Sequence, residues 1–173
     1  MSDSIGLARG IVKLVPYDPL WQSRFEAETK LLQQKLGIDT DRIQHVGSTA
    51  IPGILAKPII DIAIPVESLA TADEWAKPLA DLGYWDKGPQ PDIPQRRFFA
   101  KGPENKRTVY LHVVTNQEYR RLVAFRDALR ANPKLAKEYS ELKQSLATAH
   151  ADNRAEYSSR KDDFIQRVLA DSP

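Results

Sequence analysis

Cysteine is absent from this chain, which excludes disulfides, thiol nucleophiles and cysteine-held zinc and suits a reducing compartment. Charge of one sign is also lacking: 25 Lys and Arg against 23 Asp and Glu leave a formal net charge of +2. So small a surplus supplies no bulk attraction for nucleic acid or an acidic membrane, and no nucleic-acid partner is expected. Nowhere do about eighteen apolar residues run together, so no membrane span is expected. The N-terminal MSDSIGLARGIVKLV lacks the apolar stretch of a signal peptide, and acid precedes base in it. A cytoplasmic protein is the expectation. A full-domain repeat, a low-complexity tract, a Walker loop and a GxGxxG fingerprint are missing too.

What is present is an ordinary globular composition, 42% hydrophobic and 28% charged over 173 residues. That length carries one sizeable core, and a single domain over 1–173 is expected. Residues 11–15 (IVKLV) read as a short strand. Asp18 and Pro19 then open a helix as N-cap and first helical residue; Trp21, Phe25, Leu32 and Leu36 recur at helical spacing, and Gly37 stops it. Strands follow over 42–46 and 59–64, and Thr71 with Glu74 are spaced as the capping box of a helix that ends near Gly83. KGPQPDIPQ (87–95) reads as a mobile loop, and RRFFAKG and RTVYLHVV as a hairpin joined by PEN. From residue 117 the pattern is helical, with breaks at Asn132-Pro133 and near Asp152-Asn153 that make three helices. This order predicts an α+β (mixed α/β) fold: a small mixed sheet with helices packed against it and a three-helix C-terminal tail. Trp21, Trp75 and Trp85 read as core or partly buried packing residues.

Two strands carry the chemistry. In KPIIDIAIP, Ile60, Ile62 and Ile64 share one face, and Ile59, Asp61 and Ala63 the other. A carboxylate in mid-strand needs a base, backbone amides or a cation, since burying it unpaired costs several kcal/mol. Asp61 is therefore either half of an ion pair with Lys57 or an arginine, or a ligand of a metal or phosphate site. His112 repeats the anomaly in VYLHVV, as a hydrogen-bonded half-buried residue or as a ligand, and His45 precedes the turn GSTAIPG at the same edge. Asp61, His112 and His45 form a candidate metal constellation, although their spacing matches no compact motif. In the turn, Gly47 frees the backbone while Ser48 and Thr49 set hydroxyls beside exposed amides. That suits phosphate oxygens, and equally an ordinary turn. EYSELK (138–143) and EYSSRK (156–161) each place a Tyr and a Lys four apart, on one helix face.

Taken in order, PYDPLWQSRFEAE, HVGSTAIPGILAKPIIDI, LHVV, FRDALRANPKLAKEYSELK and YSSRKDDFIQRVL resemble the GrpB family. That family also occurs fused to dephospho-CoA kinase in some bacteria. It looks like a branch of the nucleotidyltransferase superfamily, whose members pair a Gly-Ser loop with a strand bearing two acids one residue apart and a third acid on a neighbouring strand. The resemblance puts Gly47 and Ser48 in the loop and Asp61 at the first acid. Ala63 then stands in place of the second acid, and His112 in place of the third. It implies transfer of a nucleotidyl group from a nucleoside triphosphate to a small acceptor at a degenerate site, with Asp61, Ser48 and Lys57 in catalytic positions. The alternative is a non-catalytic module of the same fold that binds a nucleotide or a small phosphorylated metabolite. A divalent metal is implied, Mg²⁺ or Mn²⁺ ahead of Zn²⁺, held by Asp61, His112 and His45. Gly47, Ser48, Thr49, Lys57, Arg97, Arg126, Lys143 and Lys161 match family segments as an anion pocket, although each base taken alone also reads as a surface charge. Tyr139 and Tyr157 read as core residues whose hydroxyls orient the lysines.

Overall fold

The structure is a computed structural model, and it describes residues 5–149 and 154–170. It bears out the mixed α+β fold class. Helix α1 (Leu20–Leu36) opens where Asp18 Oδ1 accepts from the Leu20 N–H at 2.9 Å, and closes on Gly37, left-handed at φ 66. The expected strand at 11–15 does not form. Ile11 is 53% exposed and only Val15 bridges, to Ala56, because the run has no continuous face to bury.

Strand β1 (Gln44–Val46) leads through a single 3₁₀ turn, Ser48–Ala50, to β2 (Ile60–Val66). Helix α2 (Ala70–Asp81) is not started by the Thr71–Glu74 box; Ser68 Oγ, two residues ahead of Ala70, accepts its N–H at 3.3 Å.

The segment read as a mobile loop is instead the hairpin of β3 (Tyr84–Gln90) and β4 (Ile93–Lys101). Gly88 and Pro89 are tolerated because β3 is the outermost strand, Pro91 lies in the turn and Pro94 precedes Arg96, the first β4 residue paired with β5, and the β3–β4 register shifts on both sides of Pro89. The expected hairpin of β4 with β5 (Val109–Thr115) forms. The tail is α3 (Asn116–Ala131), α4 (Pro133–Ala149) and α5 (Arg154–Ala170). The break at Asn132-Pro133 is where expected, and the one near Asp152-Asn153 lies outside the described residues.

Five strands make one sheet in the order β1-β2-β5-β4-β3, with β2 and β5 parallel and the other pairs antiparallel. Ile60, Ile62, Ile64, Val109, Leu111, Val113 and Phe99 fill one face and pack against Trp21 and Leu32 of α1 and Ala72 and Leu79 of α2. Helix α3 packs against β1, β2 and β5. Its place on the other face follows from its ion pair to Arg96, which shares the side of Val114 and His112. A second cluster joins α3, α4 and α5 to Ile51 and Ile54 of the loop after β1, through Phe125, Tyr139 and Phe164. That cluster presses the loop and the tail together over the end of β2.

Candidate functional site

Asp61 and His112 lie on adjacent parallel strands, two residues out of register (Asp61 opposite Tyr110, Ala63 opposite His112), with side chains on the same side. His112 Nε2 is 3.0 Å from Asp61 Oδ1. Burial lowers the His112 pKa, and the hydrogen bond to Asp61 opposes that shift. With the ring neutral, Nε2–H donates to Asp61, and Nδ1 is left as a buried lone pair with no partner among the described residues. The Asp61 side chain keeps 28% of its surface open to solvent.

Gly47 touches the same carboxylate. Its φ is +69, and a Cβ there would lie 2.6 Å from Asp61 Oδ2. Glycine is required at this position on both counts. The backbone of the loop thus closes on Asp61, and the next residue, Ser48, hydrogen-bonds the Tyr139 hydroxyl of α4.

Three lysines converge from the loop and two tail helices. Lys143 of α4 is 2% exposed, donates to the Leu55 carbonyl, and sits 4.7 Å from the Tyr139 ring centroid. Lys57 and Lys161 both lie over the Tyr157 ring, at 4.9 and 5.4 Å. The tyrosines are buried as expected, but it is their ring faces that carry the ammonium groups. Burial, then Lys161 and Lys57, push the Lys143 pKa down to about 7, with Asp61 pulling the other way. A buried amine thus stands beside two further cations and within reach of one carboxylate, which is the kind of surrounding that would favour a bound anion.

The chain as a whole has relatives among known proteins. The family model described as GrpB protein matches residues 11–171. The chain belongs to the GrpB family. UPF0157 protein YqkA of Bacillus subtilis is 39% identical over 157 residues, which are 90% of this chain and 45% of that protein. The dephospho-CoA kinase of Mycobacterium leprae is 30% identical over 183 residues, 88% of this chain and 44% of the kinase. The chain thus spans less than half the length of both relatives. The crystal structure of conserved protein GrpB from Enterococcus faecalis matches with a TM-score of 0.79 at 34% identity, covering 91% of this chain and 98% of that one.

Within this GrpB fold, several residues expected at the site stand elsewhere. His45 pairs in register with Ile62, so its ring points to the opposite face from Asp61 and stacks on Phe25 of α1 at 4.8 Å. Burial lowers its pKa to about 4. Thr49 is 2% exposed and fully engaged: its hydroxyl donates to the Ile59 carbonyl at 3.2 Å and accepts from His45 Nε2 at 3.0 Å. It fastens the loop and offers nothing to a ligand.

Arg126 is buried between Asp127, the Gln44 side chain and the His45 carbonyl, where it covers an acceptor of edge strand β1. Arg97 shares the face of Val113 and pairs with Asp86 and with Asp73 of α2, away from Asp61. Its neighbour Arg96 is the arginine on the His112 side, ion-paired at 2.6 Å to the buried Glu118 of α3. Strand alternation counted back from His112 across the hairpin would have separated the two arginines. Two surface cavities, about 350 and 590 Å³, share Pro52, Pro133 and Ala136, and neither of these is lined by Asp61, His112 or the three lysines.

The donor set does not fit a resident divalent metal. Asp61 and His112 bind each other, Ala63 offers no oxygen, His45 faces away, and among the described residues no three His, Asp or Glu side chains gather. Mg²⁺ wants near-octahedral oxygen ligands, and here the acid is engaged by an imidazole with a buried lysine in electrostatic reach.

Proposed function

We propose that this GrpB protein binds the phosphate groups of a nucleotide or another small phosphorylated metabolite beside the Gly47–Ser48 loop, without a protein-held metal. The observation that carries the reading is the convergence of Lys57 and Lys161 on the Tyr157 ring beside the buried Lys143, which lies within electrostatic reach of the partly open Asp61 carboxylate. An incoming phosphate would restore the Lys143 charge that burial and its cationic neighbours suppress, so its binding energy includes the relief of that repulsion. One relative bears the name dephospho-CoA kinase, which fits a phosphorylated ligand in that polypeptide. Calorimetry of ATP, GTP, CTP and UTP against the protein in EDTA tests the reading. Micromolar binding that survives EDTA and falls at least about tenfold in Lys143→Ala supports it. Strict dependence on added metal, with no effect of Lys143→Ala or Lys161→Ala, overturns it.

Nucleotidyl transfer is the second reading, favoured by the Asp61–His112 pair at the position where the resemblance puts a catalytic acid. In it, an acceptor hydroxyl attacks the α-phosphorus, the bond to the β-phosphate oxygen breaks, pyrophosphate leaves, and Asp61 takes the hydroxyl proton. Asp61→Asn separates the two readings. A binding module loses a negative charge from a cationic pocket and holds anions more tightly, whereas a transferase loses pyrophosphate release.

A further inference from the structure

One register row crosses the sheet from the phosphate site to its far edge: Asp61 on β2, Tyr110 on β5, Ala100 on β4 and Trp85 on β3. Register partners share a face, so Tyr110 and Trp85 stand on the Asp61 side of the sheet. Phe98 belongs to that side as well, opposite His112 in the β4–β5 register. Helix α3 covers this face over β1, β2 and β5, while the helix packed on β3 is α2, on the opposite face. The outer strands therefore present aromatic side chains beyond the edge of the tail. Trp85 is 62% exposed, the most open of the large hydrophobic side chains among the described residues, where sequence reading placed it in the packing.

We infer that Trp85, Phe98 and Tyr110 form a stacking shelf for the base of a nucleotide whose phosphates occupy the lysine pocket. Phe98 is held by ring contacts to Tyr110 (5.1 Å) and His112 (5.3 Å), which makes it a fixed platform. Ala100, the smallest side chain of the row, separates Tyr110 from Trp85. With strands about 4.8 Å apart, Tyr110 lies one step and Trp85 three steps from Asp61, the length scale of a mononucleotide. Charge decides the polarity of the ligand: cations stand at the Asp61 end, and an apolar surface with π faces at the other. A base stacks on such faces by its ring and needs no dedicated hydrogen bonds.

This inference rests on the phosphate-binding reading, and the experiment keeps the two apart by using inorganic tripolyphosphate and ATP as paired probes in EDTA. ATP is expected to bind more tightly than tripolyphosphate and to quench the exposed tryptophan, Trp21 being fully buried. Trp85→Ala and Phe98→Ala should each weaken ATP by roughly 5- to 100-fold and leave tripolyphosphate unchanged. Trp85→Ala should also keep the wild-type melting temperature, since its side chain is mostly in water. Lys143→Ala should weaken both probes. Equal affinities for the two probes, with no effect of Trp85→Ala, overturn the shelf and leave the phosphate site standing. Binding of neither probe to the wild type overturns both. A dimer that Trp85→Ala dissociates, with ATP affinity unchanged, assigns the face to a second copy of the chain and overturns the shelf as well.

Discussion

His45 and Asp61 stand on neighbouring strands, one position out of step, and their side chains leave the sheet in opposite directions. His45 enters the apolar layer under α1, where its ring stacks on Phe25 and burial keeps it neutral. Asp61 enters the layer under the tail, where it meets His112 and the Gly47 backbone, lies within electrostatic reach of Lys143, and keeps part of its surface in water. One backbone geometry thus builds a closed face and a chemical face from the same alternation. The difference lies in what each face is packed against: α1 and α2 bring hydrocarbon, whereas α4 and α5 bring lysines carried on tyrosine rings.

The largest effect expected from breaking this arrangement is at Gly47. Gly47→Ala combines a positive φ with a contact against Asp61 and should cost roughly 2–4 kcal/mol in denaturant melts, along with anion binding. Gly53 has a similar φ of +81 with nothing near its missing Cβ, so Gly53→Ala should cost only about 1–2 kcal/mol. Equal costs would mean that backbone conformation, and not the close approach to Asp61, dictates glycine at 47.

The closed face should show itself in acid. The folded His45 pKa of about 4 lies below the ordinary 6.5, so between those values the unfolded chain binds the extra proton. Stability from this group is complete above pH 6.5 and is lost as pH falls toward 4, which melting temperatures in that window will reveal. His45→Gln should flatten the slope; an unchanged slope would move the acid sensitivity to another group.

The chemical face should respond at neutral and alkaline pH. Lys143 titrates near 7 when folded against 10.5 in the open, so its burial is least costly above 10.5 and most costly below 7. Ligand-free stability should therefore rise with pH across that window, and Lys143→Met should remove that part of the rise. Tripolyphosphate should draw a proton onto Lys143, visible near pH 7–8 as a calorimetric heat that varies with the ionisation enthalpy of the buffer. A buffer-independent heat would show that the amine does not meet the anion.

The smallest effect belongs to Arg97. Its pairing with Asp86 and Asp73 lies on the α2 side, so Arg97→Ala should change stability by no more than about 1 kcal/mol and leave tripolyphosphate affinity alone.

Much of this was legible in the residues. Period-two alternation put Asp61 and His112 on one side of their own strands, and the structure brings them together across β2 and β5. The Tyr–Lys echoes placed Lys143 and Lys161 on faces they do share with their tyrosines. The hairpin in KGPQPDIPQ was hidden because its prolines and glycine are turn signals, and only the edge position of β3 and the unpaired start of β4 toward β5 make them compatible with strands. Arg97 was named through the family resemblance, and its facing away from Asp61 follows only once the register of β4 against β5 is known.

The sequence by itself determined most of the elements, the spacing within each, and the family to which they belong, because local conformation and side-chain periodicity need only near neighbours. The tertiary structure alone decided which side of the sheet each polar side chain faces and which distant cations reach Asp61. Lys57, Lys143 and Lys161 are far apart in the chain, and it is the packing of Phe125, Tyr139 and Phe164 against the loop after β1 that brings their elements together.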